Sequence, residues 1–292
     1  MNALVDPFLT NGFMANALLG GLIVAVACGV VGTLVVLRGL AFIGDALSHG
    51  VLPGIAVAML LGYPGILGAA VGSAVMIGGI GYLTRKSSLS NDTAIGLFFV
   101  GMLALGVIIV SRSSSFSGDL VRVLFGELLG ISRTDILIQA AATVLILAAA
   151  IVFHRPFLLL CFSPEQADMA GYPSRLFHGI MLAMIALTVI VSFQTVGTML
   201  VFGMLLAPAA ASALFARRIS TMMAGASALG AVSVYAGLLA SYHFDLAAGA
   251  AITLTATLLF FGSFAVSRLA RRREGPPAAG TASPSGSSAV LP

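Results

Sequence analysis

Asp45 and His49 sit four residues apart in the stretch that opens at Arg38 and closes at Pro53. On a helix that spacing puts a carboxylate and an imidazole on one face, one turn apart. Pro53 has no N–H, so the carbonyl of His49, four residues earlier, loses its helical donor. A carboxylate, an imidazole and a freed carbonyl oxygen on one turn suit a borderline divalent cation such as Mn²⁺ or Zn²⁺. The same spacing also serves an ordinary ion pair closing a helix start at a membrane face. Both readings stand on spacing alone.

The surroundings of this pair make it unusual. Of the 292 residues 59% are hydrophobic and 8% charged, against about 25% charged in an average soluble protein. The mean hydropathy is +1.10. A soluble globule of this length could not cover its surface with so few charges, so lipid is the solvent for most of the chain. A charged side chain at membrane depth costs ~2.5–3.5 kcal/mol even on the lenient insertion scale, and such residues normally line a wet path or bind something. The net charge of +4 is scattered over segment ends and forms no single basic face, which excludes nucleic acid as a partner. Cys28 and Cys161 lie in or beside apolar runs and read as small buried hydrophobes.

A transmembrane helix needs ~20 mostly apolar residues. The charge-poor runs divide into nine spans near 14–37, 41–61, 64–83, 93–111, 135–153, 177–193, 196–215, 220–241 and 246–267. Pro64 splits one long run and 192–197 splits another. The second span carries Asp45 and His49; if it does not cross, the count is eight. The fold class predicted is all-α and polytopic. Asp92 is expected to cap the fourth span.

Basic residues mark the cytoplasmic ends. Arg268 and Arg271 to Arg273 follow the last span. Counting back, Arg217 and Arg218, Arg155 and Arg175, Arg85 and Lys86, and Arg38 fall on the same side. Arg112, Arg122 and Arg133 fall on the other, in company with Asp119, Glu127 and Asp135. The expected layout is an extracytoplasmic segment 1–13, a permease domain 14–268 and a disordered cytoplasmic tail 269–292, rich in Gly, Pro, Ala and Ser towards its end. In the most polar cytoplasmic connection, 162–176, Ser163 can cap a short helix. Pro164 takes its first turn, Glu165 and Gln166 follow, Asp168 adds an acid, and Gly171 with Pro173 ends it.

Arg38, the run Gly44-Asp-Ala-Leu-Ser-His49 and Val51-Leu-Pro-Gly54 together resemble the signature of ABC-type manganese/zinc permeases. Further motifs follow in order. Asn91-Asp-Thr-Ala-Ile-Gly96 resembles the start of the family's fourth segment, and Leu124-Phe-Gly126 with Leu129-Gly-Ile-Ser132 its outer gate helix. The run from Ser163 to Gly171 resembles its coupling segment. Val196-Gly-Thr-Met-Leu-Val201, Leu206-Ala-Pro-Ala-Ala210 and Asp245-Leu246 with Gly249 resemble its late motifs. The resemblance covers residues 10–268. Two departures stand out: Glu127 where the family commonly has Asn, and Ala247 where it commonly has Pro.

The resemblance implies a compact importer-type permease that pairs with a second copy of itself around a central path. It also implies a cytoplasmic ABC ATPase dimer, docked on 162–176, and an extracytoplasmic metal-binding lipoprotein in a prokaryotic inner or single cell membrane. Asp45 and His49 would meet the transported Mn²⁺ or Zn²⁺, with Fe²⁺ as a further substrate. Ser48, Pro53, Glu127 and Gln194 would belong to the gate or path. No cofactor is expected to be bound permanently. The chain has no Gly-x-x-x-x-Gly-Lys-Ser/Thr loop, so ATP would be used by the partner subunit and the chain itself would not be an enzyme. Two rivals share the composition. A permease for a chelate such as haem, cobalamin or a siderophore would not need the bare-ion pair. A proton-coupled secondary metal transporter would show inverted repeats, and no repeat is evident in the sequence.

Overall fold

A computed structural model describes residues 6–111 and 130–273. Among these the chain forms helices and no strand. In order they are α1 (Asp6–Thr10), α2 (Gly12–Leu37), α3 (Ala41–Gly50), α4 (Leu52–Leu60), α5 (Gly65–Lys86), α6 (Asn91–Ser111), α7 (Arg133–Val152), α8 (His154–Phe162), α9 (Pro164–Met169), α10 (Ser174–Ala213), α11 (Ile219–Phe244) and α12 (Ala248–Arg273). Helix α12 therefore extends through 269–273, a stretch expected in the tail.

Eight helical stretches among the described residues are long and apolar enough to cross a membrane, with α3 and α4 together making one of them, Ala41–Leu60. A shorter apolar helix, Leu200–Ala213, is the second arm of α10. The segment least able to span is thus the seventh, 196–215, and not the one holding Asp45 and His49.

Helix α2 is apolar all round, as a helix enclosed by others must be. It packs mainly against α10 and α11. Close approach there depends on missing side chains: a Cβ on Gly32 would overlap the Leu205 carbonyl oxygen, and one on Gly29 would lie 2.6 Å from the Ser227 backbone nitrogen. Helices α6, α7 and α12 are the least buried, and present Leu97, Leu137 and Phe261 outwards where lipid would lie.

Helix α2 ends on Gly39 (φ 65), with the Leu40 N–H reaching back to the Val35 carbonyl at 2.9 Å. The glycine supplies the left-handed residue such a stop requires. The same device ends α4 at Gly62 and α9 at Gly171. Helix α7 opens with a capping box between Ser132 and Asp135. Asp92 does not cap α6. Ser90 does, its hydroxyl accepting the Thr93 N–H at 3.2 Å, because the helix begins two residues earlier than the apolar run.

Helix α10 is bent, not straight. Gly197 inside it has φ 74 and ψ 160, a conformation open almost only to glycine. One arm begins beside the end of α2, where Arg38 meets His178. The other arm returns to the same end: Leu205 abuts Gly32, and Arg217 and Arg218 share a groove with Leu34. A straight helix would separate residues 178 and 205 by roughly 40 Å at ~1.5 Å per residue. Gly32 and Arg38 are only about 9 Å apart on α2 by the same rise. The chain therefore doubles back at Gly197, and both ends of α10 lie at the basic end of the bundle.

Candidate metal path and coupling segment

Helix α3 carries the predicted pair on one face. His49 Nε2 lies 3.6 Å from Asp45 Oδ1, and the two side chains are 15% and 32% exposed. For an ion ~2.1 Å from each donor, the edge of a tetrahedral site is roughly 3.4 Å. The observed gap is therefore close to the bite of two ligands on one metal, and too long for a good direct hydrogen bond. The ring edge of His49 meets Phe99 at 5.6 Å. Its other nitrogen, Nδ1, is buried without a hydrogen-bond partner. Metal-ligating imidazoles normally donate that second N–H to a carboxylate or carbonyl that fixes the ring and strengthens the ligand. Among the described residues no group of three or more His, Cys, Asp and Glu side chains comes together, so one chain offers two side-chain donors.

The backbone breaks directly after the pair. Helix α3 stops at Gly50 and α4 starts at Leu52, with Pro53 in its first turn. Pro53 cannot donate to the His49 carbonyl. The Val51 N–H bonds the Leu47 carbonyl at 3.2 Å and also leans on the His49 carbonyl, so that oxygen is less free than the spacing alone implies. Val51 packs in one buried cluster with Ile55, Ala69 and Phe193. Phe193 ends the apolar stretch of α10 that precedes the Gly197 bend. Two interrupted helices thus meet at one level, beside Asp45 and His49. Interrupted backbone at membrane depth is tolerated where it is buried in protein or lines a path.

The other path candidates are placed differently. Ser48 faces the interior, fully buried, and its hydroxyl donates to the Gly44 carbonyl at 2.8 Å. It sits about 60° round α3 from Asp45 and about 100° from His49, on the side turned into the bundle. Pro53 lies against α6, where a Cβ on Gly106 would come within 3.4 Å of its ring. Glu127 and the expected gate segment as far as Leu129 lie outside the described residues, as does the side chain of Gln194, while Ser132 at the segment's end caps α7. Sequence reasoning broke the run at 192–197 into two spans with Arg175 and Arg217 on the same side, and the structure turns the chain back there, at Gly197, without ending the helical element. The signal was a glycine three residues after a polar Gln194 inside an otherwise apolar run.

At the basic end of the bundle, Arg38 ties α2 to α8 and α10, the helices on either side of the segment expected to couple. Arg38 donates to the Leu160 carbonyl of α8 at 2.5 Å and sits 3.4 Å from His178 Nδ1. Arg85 and Arg175 line the same cavity. The expected short helix is present as α9. Ser163 caps it, accepting the Gln166 N–H at 3.4 Å, with Pro164 in the first turn. Glu165 and Gln166 are exposed. Asp168 is also exposed, but its carboxylate accepts the Ser174 N–H at 2.7 Å and the Ser174 hydroxyl at 2.8 Å. The bond to the Ser174 backbone, then that to its hydroxyl, holds the Asp168 carboxyl below its usual range, with Arg175 adding a smaller pull. Phe162, Met169 and Leu176 surround α9 as exposed apolar side chains, 74%, 80% and 57% exposed.

The model of the ABC 3 transport family matches residues 10–267. The chain is 39% identical to the manganese transport system membrane protein MntC of Listeria innocua, over 89% of this chain and 92% of that one. It is 38% identical to a probable iron transport system membrane protein of Haemophilus influenzae, over 91% and 97% respectively. Among solved structures, PsaBC from Streptococcus pneumoniae superposes with a TM-score of 0.83 at 34% identity, covering 92% of this chain and 98% of that one.

Proposed function

This chain belongs to the ABC 3 transport family, and from that premise we propose that it is the permease of an ATP-driven importer whose first substrate is Mn²⁺. The observation that carries the reading is the Asp45–His49 pair, spaced at a two-ligand bite and set at a helix break inside a bundle of membrane spans. The relatives named for manganese support Mn²⁺; the relative named for iron and the borderline donor set extend the reading to Fe²⁺ and Zn²⁺.

Two donors from one chain fall short of the four or more that a transition metal takes. A second copy facing the first across a two-fold axis supplies the other carboxylate and imidazole. The unpartnered Nδ1 of His49 makes each imidazole a modest ligand, as a transit site needs, because an ion held too tightly does not leave. ATP hydrolysis belongs to a separate cytoplasmic ATPase dimer docked at α9, and ion capture to an extracytoplasmic lipoprotein. The basic end of the bundle, with Arg38, Arg85, Arg175, Arg217 and Arg218, faces the cytoplasm in accord with the positive-inside rule.

Uptake of labelled Mn²⁺ into cells expressing the permease, its ATPase and its binding lipoprotein tests the reading. Asp45→Ala and His49→Ala should each abolish accumulation while leaving permease–ATPase co-purification unchanged. Native uptake by both variants would overturn the assignment.

A further inference from the structure

A groove of about 790 Å³ runs between α2, α7, α8 and α11, within the ~300–1,000 Å³ range typical of small-ligand sites. Its walls are aliphatic and aromatic, with Leu34, Leu147, Ile151, Leu158 and Phe162 among them. Ile151 and Phe162 are each 74% exposed, so the groove is open to its surroundings. Three of the helices bordering it, α2, α7 and α11, are membrane spans, so those surroundings are lipid. At one end the groove changes character: Arg217, Arg218 and His154 line it there. Among the described residues no carboxylate pairs with either arginine.

From this juxtaposition the structure assigns an anionic phospholipid site, with the phosphate held by Arg217 and Arg218 and an acyl chain lying along the apolar walls. Free phosphate would match the arginines but leave the walls bare. A neutral lipid would match the walls but leave two guanidiniums without an anion. Only a molecule with a negative head and an apolar tail satisfies both parts. Basic residues near a membrane surface attract anionic headgroups, and guanidinium binds phosphate bidentately. The site stands independently of which ion is transported. Only its placement in the cytoplasmic leaflet rests on the orientation proposed above.

The site has a mechanical consequence. Leu158 and Phe162 belong to α8, and Phe162 is followed directly by Ser163, the cap of α9. A lipid in the groove packs α8 against α11 and so braces the element that leads into the coupling helix.

The test uses the purified full chain in mixed micelles containing equal amounts of phosphatidylglycerol and phosphatidylcholine, with retained lipid counted by native mass spectrometry. Phosphatidylglycerol should be retained about thirtyfold over phosphatidylcholine, the scale two surface arginines supply. R217Q/R218Q should erase the preference, and R217K/R218K should keep most of it. Ala224→Phe, which fills the groove without touching the charges, should lower retention of both lipids and gives the answer if the arginine variant fails to insert. Glycerol 1-phosphate should not compete. Equal retention of the two lipids by the native chain, an undiminished preference in R217Q/R218Q, unchanged retention in Ala224→Phe, or displacement by glycerol phosphate alone would overturn the proposal.

Discussion

Asp168 and Ser174, six residues apart, close the α9–α10 connection on itself: both carboxylate oxygens of Asp168 are taken, one by the Ser174 N–H and one by its hydroxyl. Ser174 is the first residue of α10, whose first arm ends at Phe193, packed against Val51 beside the Asp45–His49 pair. The carboxylate therefore serves the α9–α10 turn. Glu165, on the same short helix and equally exposed, has no such task and is the acid left to meet a partner.

The first prediction separates these two acids. Glu165→Lys should weaken co-purification of the ATPase while leaving hydrogen exchange across 163–176 unchanged. Asp168→Ala should speed exchange at the Ser174 amide several-fold, and lose ATPase binding only as far as the turn loosens. Identical exchange profiles for the two variants would refute the division of roles.

A pH dependence follows from the same contact. The folded Asp168 carboxyl titrates below its ordinary value of about 3.9. A depressed carboxylate contributes stability that is fully present above the unfolded value and is lost as pH falls through the folded value. Protection of the Ser174 amide should thus be flat from neutral pH to about 4 and decline below it. In Asp168→Asn, which still offers one carbonyl acceptor, protection should be lower at neutral pH and lack that acid decline. Exchange measured across this range checks both.

The Asp45–His49 pair calls for a double-mutant cycle. Loss of a group that merely supports a metal ligand costs about 10–100-fold. Loss of a ligand from a two-donor chain should exceed that, so each single alanine variant should lower Mn²⁺ uptake by more than ~100-fold. Residues acting as one unit are not additive, so the double variant should be no worse than either single. Uptake that falls multiplicatively in the double variant would show that the two side chains act separately.

Much of the fold was legible because membrane spans advertise themselves by length and apolarity alone. The pair on α3, the short helix α9 and its Gly171 stop follow from spacing and cap chemistry, both local properties. Two features were not legible. Ser48 shares the Asp45–His49 motif but is fully buried, which depends on how α3 is rotated in the bundle. Asp168 has the composition of a docking acid, yet is occupied by a residue beyond the next turn. The reversal at Gly197 was legible as a break between two spans; its form, one residue at φ 74 inside a continuous helical element, belongs to the structure.

That reversal supports the last prediction. At φ 74 and ψ 160 an alanine is strained, and a residue forced into such a region costs of order 1–3 kcal/mol. Gly197→Ala should lower the melting temperature of the purified permease and, if the chain relaxes by straightening α10, draw Phe193 away from Val51. Since Val51 follows the Asp45–His49 turn directly, transport should fall more than stability alone accounts for. Gly32→Ala is the comparison. It also meets backbone, at the Leu205 carbonyl, and overpacking of this kind costs about 1–3 kcal/mol, but it lies at the contact between α2 and the returning arm and not at the bend. Matched for the loss of melting temperature, Gly197→Ala should show the larger drop in Mn²⁺ uptake. Equal drops would mean that the bend at Gly197 is structural only and plays no part in the path.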